Sequence, residues 1–524
     1  MTSQTPPLPT RKLAPAAEAP GICQLVLETL GCQEVALVRN PSYIYAPLEI
    51  YPLPPRITGN LPRLAGVVMD MDGTTTTTEP LCIHSLEWMT RQVTGRTSPS
   101  VWAGLDRKAD YPHIIGNSTT KHVEYLLVTY GEHFKPADCL RAYLNAALWT
   151  LARGRDENRR REVRANTVAL GLGALLDDAE FRATTSAGRY VEAEALALAD
   201  RLAPVLLDGF RAQNLNDRVR AAVDIYYMRY HMILNDIADG HGAEREREVL
   251  GTAHGHLIEP MPAIGLFLAA LKGRLGAQMG NFAERLIETL RARGIKEKRN
   301  CCAGGDAGGT NYNRCAGEDA GGTEPIHGRD ARATSGDAQA TSDWSDGAGY
   351  ARRLAALGRY LEAHPVPVAV VTSSIAYEAR VVLGAVFGLL REDVAGWPVD
   401  DATKAQVLQD FQDPEAFYDA FITASDSSEI RLKPHRDLYS IALQTLGLGH
   451  EDFPCVIGFE DSESGVTAIR AAGVGLSVAV PFADTEGHNL EAAARIMPGQ
   501  LPEVLLGEDC FLDPAALKPF ENEG

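Results

Sequence analysis

The sequence predicts an α/β protein in which helices cover a parallel sheet and a large helical insertion follows the first strand. In residues 350–524, short apolar segments alternate with amphipathic ones, a pattern typical of parallel strands joined by helical crossovers. One further apolar segment, 65–69, has the length and β-branched content of a buried strand. Residues 135–293 lie between them and carry helical periodicity throughout. The insertion therefore separates one strand from the rest of its sheet.

The predicted elements follow from this periodicity. Strands are expected at 65–69, 366–371, 421–424, 454–458 and 475–480. Helices are expected at 81–95, from Ser118 as a helix N-cap, and at 350–363, 436–446 and 465–472. The N-terminal region, 21–62, offers a helical stretch and two short apolar runs, and its role cannot be inferred from the sequence.

Length and charge limit the kind of protein. A chain of 524 residues is too long for one compact core, so two or more structural units are expected. The excess of 69 Asp and Glu over 50 Lys and Arg gives a net charge of −19, which argues against nucleic acid or an anionic membrane as the main partner. No apolar run is long enough to span a bilayer, the first 20 residues lack the apolar region of a secretory signal, and most cysteines stand singly. We therefore expect a cytoplasmic protein.

Composition divides the chain into segments. A near-identical repeat, CAGGDAGGT and CAGEDAGGT, is too rich in Gly and Asp to bury apolar surface and predicts a disordered loop. The predicted segments are a disordered lead (1–20), an N-terminal extension (21–62), the α/β core (63–80 and 350–524), a helical insertion (81–258), a core re-entry with a helical extension (259–299) and the Gly/Asp-rich loop (300–349).

The first strand carries two carboxylates at its carboxyl end. Asp70 and Asp72 follow the apolar run directly, and Gly73 lets the chain turn away. Ligands bind at this end of the strands in open α/β sheets, so two carboxylates there can share one site. The alternative is an Asp-Gly turn that closes an ordinary strand.

Polar residues also follow the later strands. The segment VVTSS places Thr372 and Ser373 after one strand, Pro434 holds Lys433 before a helix, and Glu460 and Asp461 follow another strand. Each piece has a simpler explanation, as a helix cap or a solvated surface lysine. Because the four pieces occur in order along the chain, their joint occurrence is poorly explained in that way.

These segments resemble the motifs of the haloacid dehalogenase superfamily. DMDGT is similar to its first motif, VVTSS to the second, the Lys433-Pro434 segment to the third and GFEDSESGVTAIRAAGV to the fourth. The arrangement resembles most the β-phosphoglucomutase and phosphoglycolate phosphatase group, in which a helical cap follows the first strand. The segment HIIGNSTTKHVEYLL also resembles the cap loop of that group, although the insertion here is longer than the usual cap.

The resemblance implies a Rossmann-like core and a Mg²⁺-dependent phosphatase of a small phosphorylated metabolite. Asp70 is the expected nucleophile and Asp72 the expected general acid and base, roles that carboxylates at this spacing can fill. Thr372, Ser373 and Lys433 are the expected phosphate-binding residues. The expected Mg²⁺ ligands are hard oxygen donors from Asp70, Asp461, the backbone carbonyl of Asp72, and Glu460 directly or through water.

Other functions stay open. Lys121 and His122 in the insertion are candidates for contacts with the distal part of the substrate, although such residues are more often solvated. A phosphomutase would use the same two aspartates. A non-catalytic binding protein with a vestigial core is disfavoured by the intact acidic set, and a dehalogenase needs neither the second aspartate nor a metal. The oligomeric state cannot be inferred from the sequence.

Overall fold

The structure is a computed structural model that describes residues 13–40, 44–116, 118–186, 190–251, 255–295, 344–428, 431–482, 485, 487–507 and 511–521. None of the helices within these residues combines the length and apolarity needed to cross a bilayer.

The N-terminal extension forms a helix and a hairpin, and the hairpin packs on the core. Helix α1 (Ala19–Leu30) begins inside the predicted disordered lead, and residues 1–12 of that lead lie outside the described residues. Strands β1 (Glu34–Arg39) and β2 (Leu48–Leu53) pair antiparallel. Val38, Tyr51 and Leu53 of the hairpin form a small buried cluster with Ala471 of the core. The extension is therefore a part of the core surface.

The central strand, β3 (Gly66–Asp70), is buried along its whole length. A two-residue strand, β4 (Thr76–Thr77), follows it, and the chain then enters the helical insertion. The helices of the insertion are α2 (Glu79–Thr94), α3 (Tyr111–Ile114), α4 (Thr119–Thr129), α5 (Pro136–Arg153), α6 (Glu157–Ala169), α7 (Ala179–Ser186), α8 (Glu192–Leu206), α9 (Leu215–Ala238) and α10 (Gly242–Leu250). We call this insertion the cap.

Apolar residues at helical spacing hold the cap together. Helix α5 buries most of its length, including Leu140, Tyr143 and Leu148, against α8 and α9. Strand β5 (Glu259–Pro260) then pairs antiparallel with β4, with Thr76 opposite Pro260. The chain therefore leaves and re-enters the core through one two-stranded ribbon.

The second half of the chain completes the core. Its elements are α11 (Ile264–Leu271), α12 (Ala283–Ala292), α13 (Gly347–Ala363), β6 (Val368–Val371), α14 (Ala376–Val394), α15 (Asp401–Asp410), α16 (Pro414–Phe417), β7 (Ala420–Ile422), α17 (Asp437–Thr445), β8 (Val456–Glu460), α18 (Glu463–Ala471), β9 (Leu476–Ala479), β10 (Arg495–Ile496), α19 (Gln500–Leu506) and α20 (Pro514–Leu517). The predicted strands at 366–371, 421–424, 454–458 and 475–480 are thus present with shorter or shifted bounds.

The six core strands form one parallel sheet in the order β10-β9-β8-β3-β6-β7. Strand β3 lies between β6 and β8, with Met69 opposite Val370 on one side and Phe459 on the other. Helices cover both faces. The predicted α/β fold with a helical insertion is confirmed.

The predicted loop at 300–349 extends too far at its carboxyl end. Residues 296–343 lie outside the described residues, so the prediction is not examined there. Trp344 is buried, and its indole N–H donates a hydrogen bond to the carbonyl of Ile295 (2.8 Å). The Asp346 side chain then caps α13 by accepting from the N–H of Gly349. One tryptophan after a polar tract is enough to restore packing.

Candidate active site

Asp70 lies buried at the carboxyl end of the central strand, with Asp72 in the turn that follows. The hydroxyl of Thr75 donates to the carbonyl of Asp70 (2.6 Å) and holds this turn. Gly73 has a φ of 80°, and a Cβ at this position would lie 2.3 Å from a carboxylate oxygen of Asp461. Glycine therefore permits both the turn and the close approach of the Asp461 carboxylate.

Lys433 connects the two acidic strand ends. Its ammonium group contacts the Asp70 carboxylate, lies 2.6 Å from Oε1 of Glu460, and donates to the carbonyl of Val371 (3.3 Å). It also lies 5.2 Å from the centre of the Tyr439 ring. Burial acts to lower the pKa of Lys433, but the charges of Asp70 and Glu460 outweigh it and raise that pKa. Lys433 is thus a fixed buried cation.

Three carboxylates form a cluster suited to a hard cation. Asp70, Glu460 and Asp461 each place an oxygen within 4.8 Å of the other two. Burial, and then the charge of each neighbouring carboxylate, raises the pKa values of Asp70 and Asp461 well above their ordinary range. Added positive charge would relieve this cost, and oxygen donors are those that Mg²⁺ prefers. The residues therefore fit a Mg²⁺ site.

Glu460 and Asp461 differ in how they are held. Glu460 accepts hydrogen bonds from the hydroxyls of Tyr439 (2.6 Å) and Ser462 (3.2 Å) in addition to its contact with Lys433. Asp461 lines the cavity, and none of the described residues donates a hydrogen bond to its carboxylate. Asp461 thus faces the cavity without a hydrogen-bond donor among the described residues, whereas Glu460 contacts Lys433.

The side chain of Asp72 is held away from this cluster. One of its carboxylate oxygens accepts from the hydroxyl of Thr78 (2.6 Å), and the other accepts from those of Thr372 and Ser374 (3.4 Å each). Burial raises the pKa of Asp72. The two aspartates therefore sit in different environments, one beside a lysine and one among hydroxyls.

A cavity of about 1560 Å³ joins the core to the cap. It is lined by all the predicted site residues except Glu460, namely Asp70, Asp72, Lys121, His122, Thr372, Ser373, Lys433 and Asp461. Cap helix α9 adds Tyr226, Tyr227 and Tyr230, and the N-terminal hairpin adds Arg39 and Leu48. The structure thus brings the residues from distant parts of the sequence to one cavity.

Lys121 and His122 lie on the cap side of this cavity. Lys121 is partly buried, and burial, together with the nearby charge of Arg39, lowers its pKa against the opposing effect of Glu124. His122 is almost completely buried, with 6% of its surface exposed. Neither Lys121 nor His122 is therefore a fully solvated surface residue, which was the alternative to a contact with substrate.

The sequence did not point to several residues of the site. Thr78 lies in a run of five threonines, and only the fold shows that this one faces Asp72. Glu378, on α14, lines the cavity, and its Oε1 lies 2.6 Å from Nε2 of His231 in the cap. The hairpin residue Arg39 had no recognisable motif around it. Such contacts depend on long-range packing.

Comparison of the chain with protein-family models and with curated protein sequences gave no match. Among solved structures, the chain is similar to CbbY from Rhodobacter sphaeroides in complex with phosphate, with 13% identity over 87% of this chain and 99% of that chain and a TM-score of 0.33. A mutant of CbbY from the same organism, in complex with xylulose-(1,5)bisphosphate, is 12% identical over 85% of this chain and 99% of that chain, also with a TM-score of 0.33. A protein assigned as a beta-phosphoglucomutase from Thermotoga maritima is 12% identical over 84% of this chain and 97% of that chain, with a TM-score of 0.24.

The four motif segments occupy defined positions in the fold. The first, second and fourth motif segments lie at the carboxyl ends of β3, β6 and β8, and the third precedes α17. The cap is inserted after β3, between the first and second motifs. The sheet order, the motif positions and the inserted cap thus agree with the fold expected from the resemblance of these motifs to the haloacid dehalogenase superfamily.

Proposed function

We propose that this chain is a Mg²⁺-dependent phosphatase that hydrolyses a small phosphorylated metabolite through an aspartyl-phosphate on Asp70. The supporting observation is the juxtaposition of two carboxylates with different environments, Asp70 and Asp72, in one cavity with the buried cation Lys433. A pair of titratable groups held in different environments is the usual arrangement for separate nucleophile and acid-base roles.

Asp70 acts as the nucleophile. One of its carboxylate oxygens forms a bond to phosphorus while the bond between phosphorus and the substrate oxygen breaks. The ion pair with Lys433 favours the ionised form of Asp70 that this attack requires, in opposition to burial and the charge of Glu460. The hydrogen bond from Thr75 to the Asp70 carbonyl fixes the strand end from which the carboxylate projects.

Asp72 carries the proton. It donates a proton to the departing substrate oxygen and then removes one from the water that attacks phosphorus, so that the bond to Asp70 breaks and inorganic phosphate leaves. Burial raises the pKa of Asp72, which favours the protonated form needed in the first step. Its bond to Thr78 holds the carboxylate in place for both steps.

Charge must be balanced for a phosphate to enter this acidic site. Two like charges ~4 Å apart repel by about 4 kcal/mol at an effective dielectric constant of ~20. Lys433 supplies one positive charge, and the hydroxyl of Thr372 and the hydroxyl and N–H of Ser373 lie along the cavity, where they could contact phosphate oxygens. Mg²⁺, held by Asp70, Asp461 and the Asp72 carbonyl, would supply the remaining positive charge.

The size of the cavity favours water as the final acceptor. Pockets for small ligands are commonly ~300–1,000 Å³, and this cavity of about 1560 Å³ exceeds that range. A phosphomutase must exclude water while its intermediate reorients, which a roomy cavity does poorly. Lys121 and His122 are placed to contact the part of the substrate distant from the reacting phosphate.

A panel of phosphorylated metabolites with Mg²⁺ tests the proposal. We expect release of inorganic phosphate by the wild-type chain, loss of that release in Asp70→Asn, and normal release in Asp393→Asn, which alters an exposed aspartate paired with Arg285. Release that survives in Asp70→Asn would refute the assignment of the nucleophile. For the phosphomutase alternative, a sugar 1-phosphate is supplied with its bisphosphate, and isomer formed faster than free phosphate would overturn hydrolysis.

A further inference from the structure

A second cavity, of about 550 Å³, lies within the cap and shares no lining residue with the catalytic cavity. It is formed by the end of α5, one side of α6, and α7 with the segment before it. We call it the arginine cavity, because Arg153, Arg160, Arg164 and Arg182 line it, together with Leu151, Ala152, Gly154, Leu176, Phe181, Thr185 and Ser186. Among the residues that the structure describes, no acidic side chain lines it.

The four arginines differ in how far they are neutralised. Arg160 pairs with Glu157 (3.1 Å) and donates to the carbonyl of Leu151 (3.2 Å), while its Nε is buried and has no hydrogen-bond partner. Arg164 and Arg182 are exposed, and within the part of the chain that the structure describes their side chains make no hydrogen bond or ion pair. Two of the four guanidinium groups that line the cavity are therefore available to a bound anion.

The composition of the arginine cavity matches a phosphate-bearing ligand. The planar guanidinium group binds phosphate oxygens through two parallel N–H donors, and several such groups around one concave space suit more than one phosphate. The cavity also has an apolar part, in which the buried side chains of Leu151 and Phe181 lie. The modest volume favours a small molecule over a nucleic-acid strand.

Helix α6 forms a wall of both cavities. Arg160 and Arg164 face the arginine cavity, whereas Arg159 lines the catalytic cavity. The guanidinium of Arg159 lies 4.3 Å from the centre of the Tyr227 ring and contacts the buried Asp224. An anion bound by one side of α6 would therefore contact the same helix that shapes the catalytic cavity.

We propose that the arginine cavity is a second ligand site, which binds a small anion carrying two or more phosphate groups. The ligand is recognised by its phosphate chain, whether that chain is an inorganic polyphosphate or the diphosphate of a nucleotide. This site does not depend on the reaction proposed for the catalytic cavity.

Isothermal titration of the full chain with tripolyphosphate, ADP and inorganic phosphate tests the proposal. The titration is done without divalent metal so that no probe is hydrolysed. We expect saturable binding of tripolyphosphate and ADP, at least tenfold weaker binding in the double variant Arg164→Gln/Arg182→Gln, and unchanged binding in Arg141→Gln. Arg141 is a matched control, because it is an exposed cap arginine paired with Asp200.

Each outcome of the titration is decisive. Binding of both probes supports recognition of the phosphate chain, and binding of ADP alone would overturn it in favour of recognition of the nucleoside. Equal affinity in the double variant would place the ligand elsewhere, in the catalytic cavity, and refute the proposal. Absence of saturable binding to the wild-type chain would also refute it.

A second measurement needs no variant. Phenylglyoxal modifies accessible arginines, and mass spectrometry reports the extent of reaction at each one. We expect tripolyphosphate to slow modification of Arg164 and Arg182 but not that of Arg141. Equal protection at all three positions, or none, would contradict a site in the arginine cavity.

Discussion

The hydroxyl oxygen of Tyr51 lies 2.6 Å from Nδ1 of His435, which joins the N-terminal hairpin to the loop that carries Lys433. Because the Tyr51 hydroxyl donates its one proton to Glu49 (2.8 Å), the Nδ1–H of His435 is the donor in this contact. Arg431 of the same loop donates to Glu49 (3.1 Å). The hairpin thus supports the loop that carries Lys433, nearly four hundred residues further along the chain.

The substitution Tyr51→Phe should therefore reduce both stability and activity. It removes a buried hydroxyl that bonds two partners, and we expect a loss of about 1–2 kcal/mol and several-fold lower kcat/KM. Thermal unfolding and phosphate release measure the two effects. Tyr190→Phe is the control, since this cap tyrosine bonds Asn145 (2.8 Å) away from the Lys433 loop. Equal effects of both substitutions on kcat/KM would contradict a specific role for the hairpin.

Lys433→Met should destabilise the protein strongly and abolish activity. It leaves Asp70 and Glu460 buried without their shared cation, a change that costs about 3–5 kcal/mol in comparable buried pairs. Adding Glu460→Gln removes one of the two stranded charges, so the melting temperature should partly recover while activity stays absent. If the double variant were no more stable than Lys433→Met, the Lys433–Glu460 contact would not be the source of the loss.

The metal-free protein should become less stable as the pH rises. The pKa values of Asp70 and Asp461 are raised in the folded state by burial and by neighbouring carboxylates, so the folded state binds protons more tightly than the unfolded chain. Their contribution to stability is present near the ordinary carboxylate pKa of 3.8 and is lost as the pH rises through the folded-state values.

Melting temperatures measured with EDTA and with Mg²⁺ across this pH range test that expectation. Mg²⁺ should raise the melting temperature most at the higher pH, where both carboxylates are ionised. Asp461→Asn should weaken both the pH dependence and the response to Mg²⁺. A melting temperature that Mg²⁺ does not change at any pH would contradict the metal site.

Shortening the Gly/Asp-rich tract should leave activity unchanged. Its flanking residues already meet, because the indole of Trp344 donates to the carbonyl of Ile295. Each doubling of loop length costs only about 0.6 kcal/mol, so replacing residues 297–342 by a Gly-Ser linker of about eight residues should stabilise the fold by about 1–2 kcal/mol or less. A large fall in melting temperature would show that the tract packs against the core.

The sequence was sufficient for the fold where the pattern was strong. The strands of the sheet are continuous apolar runs because they are buried on both faces. The cap helices show helical spacing of apolar residues because each buries one face. Helix α14 was not predicted, because Val381, Ala385 and Leu389 are apolar although they are only partly buried, so apolar residues extend beyond the buried face. Strand β10 has two residues and gives no pattern at all.

Sequence motifs identified the candidate catalytic residues but not the residues that support them. Asp70, Asp72 and Lys433 stand in motifs because their chemistry fixes their spacing from strand ends. Tyr51 and Glu378 act through contacts between distant segments, which no local pattern records. The arginines of the second cavity come from three helices, and only the packing of those helices brings them together.

The most direct test of the central claim is the identification of the phosphorylated residue. Acid quenching of Asp72→Asn during reaction with p-nitrophenyl phosphate, followed by peptide mass spectrometry, should show a phosphoryl group on Asp70. The nitrophenolate departs without a proton from Asp72, whereas hydrolysis of the aspartyl-phosphate still needs Asp72 as a base. The same experiment on Asp70→Asn should show none. A phosphoryl group on another residue, or turnover by the wild-type chain with Asp70 never modified, would contradict the proposed reaction.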